Sequence, residues 1–110
     1  MATGRQASVS PNATTLSTIY TAPLGYYGIY NISITNTNTT PVTVRLAIST
    51  SGGATPTPAA YEYIEFNSTI VGSGVLERTG IVVGNQLNIV GYASNSGVNF
   101  NVWGIETSTS

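Results

Sequence analysis

From Val42 to Ser49 large apolar side chains alternate with polar or small ones: Val42, Val44, Leu46 and Ile48 against Thr43, Arg45, Ala47 and Ser49. Successive side chains of an extended strand point to opposite faces, so this is the pattern of a strand with one face buried. The same period recurs along the chain, each time bounded by Gly, Pro, Asn or Ser. It predicts strands over 15–21, 27–35, 42–48, 61–70, 75–83, 87–92 and 98–106. Gly80 marks a bend or bulge that divides 75–83 in two. The spacing of an amphipathic helix is not found. Seven or eight short strands predict an all-β chain, an antiparallel β-sandwich or jelly-roll-like fold, with a small closed barrel as the rival.

The alternation also predicts the core: Ile32, Ile34, Val42, Val44, Leu46, Ile64, Phe66, Leu87, Ile89, Phe100 and Val102. The chain divides into an N-terminal arm over 1–13, a sandwich domain over 14–107 and a polar tail over 108–110. The arm is polar and aperiodic except for Val9, so a neighbouring subunit is expected to order it. Around Trp103 and Ile105 the last strand is apolar on both faces, so one of them is expected to meet something other than water.

Chemistry is scarce. Charged residues are 6% of the chain, against roughly 25% in an ordinary domain. His, Cys, Lys and Asp are absent, leaving Arg5, Arg45, Arg78, Glu62, Glu65, Glu77, Glu106 and seven tyrosines to ionise. General acid–base catalysis draws mostly on the missing types. Glu62 and Glu65 lie three apart in one strand and so on opposite faces, which separates them as a carboxylate pair. Glu77 and Arg78 are adjacent and point opposite ways, so they are not an intrastrand ion pair, and either can pair across strands or across a subunit contact. Four unclustered glutamates make a poor metal site. No catalytic, cofactor-binding or metal residues are assigned, no cofactor is expected, and the chain reads as a non-enzyme.

Partners are bounded in the same way. Three scattered arginines and a net charge of −1 offer nothing to nucleic acid or to an anionic membrane. No apolar run reaches the length of a membrane span. Residues 1–6 have no apolar h-region, so no secretion leader is expected. The Asn-x-Ser/Thr triplets at Asn12, Asn31, Asn38 and Asn67 follow from a chain rich in those residues. A net charge near zero favours association with other subunits. Candidate inter-subunit contacts are Arg5, Val9, Tyr26, Tyr27, Arg78 and Trp103.

Several stretches carry a resemblance. They are Leu16-Ser17-Thr18-Ile19-Tyr20-Thr21-Ala22-Pro23, the run Tyr30 to Asn38, Val42 to Ile48, Glu62-Tyr63-Ile64-Glu65-Phe66, Gly74 to Ile81 with its Leu76-Glu77-Arg78-Thr79-Gly80, and Gly104-Ile105-Glu106. Together they resemble small β-sandwich virion proteins of tailed bacteriophages, cyanophages in particular. The resemblance implies a structural role in the virion: a capsid decoration (cement) protein, homo-oligomeric, bound to the major capsid protein or other virion proteins. It equally fits a tail, baseplate or fibre-associated protein. A carbohydrate- or receptor-binding module, using exposed tyrosines and Trp103, is the reading from another class.

Overall fold

Each stretch read as alternating contains a strand in the computed structural model, which describes residues 3–108. The strands are β1 (Thr3–Val9), β2 (Ser17–Thr21), β3 (Tyr26–Asn36), β4 (Val42–Ser49), β5 (Tyr63–Ile70), β6 (Val75–Val83), β7 (Asn88–Ala93) and β8 (Val98–Ser108). One 3₁₀ turn, Ala60–Glu62, precedes β5 and takes Tyr61 out of the strand expected there.

Two antiparallel four-stranded sheets pack face to face, so the fold is an all-β sandwich. The first sheet has the order β1-β8-β3-β6 and the second β2-β7-β4-β5. Strands pair from the two ends of the chain inward: β1 with β8, β2 with β7, β3 with β6, β4 with β5. The pairs β3–β8 and β4–β7 complete the sheets. β4 and β5 are consecutive strands in one sheet; every other connection crosses between sheets. Gly80 lies in a bulge, as its position suggested. Tyr30 pairs with Ile81 and Ile32 with Arg78, leaving an extra residue on β6, and Gly80 adopts φ +67°.

The inward faces make one core in which Tyr30, Ile32, Ile34, Val44, Leu46, Ile89, Phe100 and Val102 are buried. Of the core expected from alternation, Ile64 and Leu87 are only partly buried, and Phe66 is 57% exposed. Phe66 departs because β5 is bulged twice. Between Ala47 and Val44 the partner on β5 advances from Tyr63 to Ser68, so two residues are inserted. Asn67 takes up the second bulge with φ 52°. Each inserted residue reverses the faces of those that follow.

The N-terminal arm is a strand of this same chain. β1 pairs along β8 from Thr3↔Ile105 to Val9↔Phe100, and Ala7 and Val9 pack against the core. The expectation of an arm ordered by a neighbour is thereby corrected. β8 needs hydrogen-bond partners on its second edge, and β1 supplies them within the chain. The start of the expected tail is also strand, since Ser108 pairs with Tyr26; residues 1, 2, 109 and 110 lie outside the described residues.

A buried asparagine ties one end together. Asn36 is fully enclosed, and its Nδ2 donates to the carbonyls of Thr40 (2.9 Å), Ile70 (3.2 Å) and Val71 (3.1 Å). Its Oδ1 accepts from the Asn38 amide at 3.0 Å. A buried amide so fully bonded avoids the cost of unmet polar groups and holds two loops in one arrangement.

Candidate functional site

The first sheet's outer face is built by residues of odd parity on β3 and β8. Val82, Ile29 and Ile105 are directly paired across β6, β3 and β8, so they form one row. They are 62%, 50% and 60% exposed. Beside them, Arg5 pairs with Trp103 and Trp103 with Asn31. In the next row Asn101, Ser33 and Glu77 are aligned. Contiguous exposed aliphatic side chains on a sheet mark an interaction surface more than isolated ones do.

Three of the six candidate contacts, Arg5, Tyr27 and Trp103, reach this face, Tyr27 two residues before Ile29 on β3. The others do not. Val9 pairs with Phe100 and packs on the core. Tyr26 has inward parity at the start of β3, where it is half-buried. Arg78 pairs in register with the inward Ile32, and its guanidinium crosses to the second sheet to form an ion pair with Glu65. That pair closes the β6/β5 edge of the sandwich. Ile29 and Val82 were missed because each lies in a stretch whose other face supplies core residues.

The second sheet's outer face carries an aromatic stack. The Arg45 guanidinium lies 4.4 Å from the ring centres of both Phe66 and Tyr92, and its Nε donates to Asn67 Oδ1 at 2.8 Å. Phe66 meets Tyr63 edge to face at 5.1 Å. Such cation–π and edge-to-face contacts order otherwise mobile side chains. Next to them an open groove of about 460 Å³ is lined by Pro58, Ala60, Tyr63 and Phe66. The bulge between Tyr63 and Glu65 creates this face by turning Phe66 outward.

Inside the sandwich is a carboxylate the alternation did not single out. Glu106 is 1% exposed, and its Oε2 accepts from Tyr20 Oη at 2.5 Å and Tyr30 Oη at 2.7 Å. Gly28, opposite Glu106 in the β3–β8 pairing, makes room: a Cβ there would fall 2.1 Å from Tyr30 Cζ. Burial, then the hydrogen bond to Glu106, pushes the Tyr20 hydroxyl up to about 12. The same causes push Tyr30 up further. The signal was present in the sequence, since Glu106 shares parity with Phe100 and Val102.

The other two carboxylates with resolved contacts are also structural. Glu62 accepts from Ser49 Oγ (2.6 Å) and the Ala59 amide (2.8 Å) through Oε1, anchoring the 50–60 loop. Those bonds hold its pKa below the usual carboxylate range. Glu65 is lowered first by the Ser68 hydroxyl and then by Arg78. Both carboxylates are bonded into the fold.

No family model, curated protein or solved structure matches the chain.

Proposed function

We propose that this protein is a non-enzymatic structural component of a phage particle, a decoration protein seated on the outer shell against the major capsid protein. One observation carries the reading. The domain exposes apolar side chains on the outer faces of both sheets, while most of its few charged groups are tied into its own fold. A domain of this kind is suited to sit between neighbours, because its surfaces lose little hydration energy on contact. The strand order supports the reading: pairing from the chain ends inward in two four-stranded sheets is what a jelly-roll winding would give, and jelly rolls serve viral capsid and lectin domains. Fold alone does not assign function. The resemblance through Leu76-Glu77-Arg78-Thr79-Gly80 supplies the virion context.

An image of the whole particle tests this. Density for the chain in hundreds of copies over the shell supports decoration; a few to tens of copies at the tail or baseplate supports the tail-associated alternative. The groove beside Tyr63 and Phe66 favours a second reading, a carbohydrate-binding module with aromatic rings stacked on a sugar. Glycan-array binding that is lost on Phe66→Ala would replace the first reading with this one.

A further inference from the structure

Two charges remain after the fold has used the others. Arg45 is stacked between two rings, Arg78 is paired with Glu65, and Glu62 and Glu106 are held by hydroxyl and amide donors. Among the described residues, the side chains of Arg5 and Glu77 make no ion pair or hydrogen bond, and both residues are exposed. They are opposite in sign. Both lie on the first sheet's outer face, Arg5 on edge strand β1 and Glu77 on edge strand β6. Trp103 and Asn31 lie between their two edges, and the row Ile105, Ile29 and Val82 flanks Arg5 on the side away from Glu77.

We propose that the occupant of this face is a second copy of the chain, bound sheet to sheet about a two-fold axis. The axis runs parallel to the strands between β8 and β3. It places β1 of one protomer over β6 of the other, and by symmetry the reverse. Each Arg5 then faces the partner's edge one row from Glu77. One row is two residues, roughly 6.6 Å along a strand, which the two side chains span. Ile29 and Ile105 are exchanged by the same operation, so the apolar row stacks on its own copy. Such a patch is self-complementary, as a two-fold interface requires.

The dimensions suffice. Four strands and the outward rows from Tyr27 to Thr35 span roughly 19 by 26 Å, burying about 1,000 Å² over both partners. That sits at the threshold of about 1,000 Å² for a biological interface, in the range of weak, reversible association. The net charge of −1 adds almost no repulsion between copies. This proposal is independent of the virion reading, since it concerns the purified chain in solution.

Sedimentation of the purified full-length chain over a concentration series tests it. The wild type is expected to dimerise reversibly. Arg5→Glu and Glu77→Arg each place like charges together and should weaken dimerisation by at least about tenfold. The double variant Arg5→Glu/Glu77→Arg should restore it, because the pair is merely inverted. Ile29→Asp should abolish it; both circular dichroism and thermal unfolding would register any loss of fold at this exposed site. A wild type that stays monomeric throughout the series overturns the proposal. So does a dimer that Arg5→Glu leaves unchanged, or a double variant no tighter than the single ones.

Discussion

The Tyr30 hydroxyl donates to Glu106 Oε2 at 2.7 Å within the sandwich, so a carboxylate sits among core side chains with its bonds supplied by tyrosines. Tyr20 donates to the same oxygen, and its ring meets Tyr30 edge to face at 5.7 Å. Two strands of the first sheet and one of the second are thereby joined through one oxygen atom. Tyr30→Phe keeps the ring but removes a donor to a buried acceptor. Stability should fall by about 2 kcal/mol, measured as a lower denaturant midpoint with unchanged slope.

The tyrosine shifts set an alkaline limit. A phenol in the unfolded chain titrates near pH 10, whereas Tyr20 titrates at about 12 in the fold. Between those values the unfolded chain has lost a proton that the native chain keeps. Stability therefore falls as pH rises through this window and is fully retained below it. Tyrosinate absorbance should show two of the seven tyrosines ionising late, Tyr20 and Tyr30, or only on unfolding. Seven tyrosines titrating together near pH 10 would contradict the buried cluster.

At the opposite pH extreme the Arg78–Glu65 bridge is the sensitive contact. The folded pKa of Glu65 is depressed, so its contribution is present above the unfolded value near 4.5 and is lost as pH falls through the folded one. Arg78 is 38% exposed, so screening limits the effect to about 1 kcal/mol or less. Glu65→Gln should be less stable than wild type at neutral pH. The gap should narrow in acid and in high salt. A gap independent of pH would remove the ion pair as its cause.

The two phenylalanines should behave as opposites. Phe100 is fully buried, so Phe100→Ala leaves a cavity and should cost about 3–5 kcal/mol. Phe66 is exposed and contributes chiefly its contact with Arg45, so Phe66→Ala should cost about 1 kcal/mol or less. Thermal unfolding of both variants checks the assignment, and equal losses would place Phe66 in the core after all.

Deleting residues 2–11 removes β1. The edge of β8 is then left unpaired, and Ala7 and Val9 no longer cover the core beside Phe100. The truncated chain should unfold at a lower temperature and scatter light through edge-to-edge association. A truncation as stable and as soluble as the full chain would make β1 dispensable.

The sequence by itself determined that this chain is all-β, and which way most side chains face; that the strands form two packed sheets and not a closed barrel was decided by their pairing. Val42, Val44, Leu46, Ile32, Ile34, Phe100 and Val102 are buried where their alternation puts them, because a strand's period is a local property of the backbone. Even the bulge at Gly80 was legible, since glycine tolerates the positive φ found there. Tertiary structure decided what local pattern does not encode. It turned Phe66 outward through inserted residues on β5, because a bulge depends on the partner strand. It made a strand of 3–9, whose polar residues carry little apolar signal but whose backbone completes β8. It brought Arg78 to Glu65, Glu106 to two tyrosines, and Val82, Ile29 and Ile105 into one row, each from strands distant in sequence. Periodicity assigns a residue to a face; only strand order and register assign its neighbours on that face.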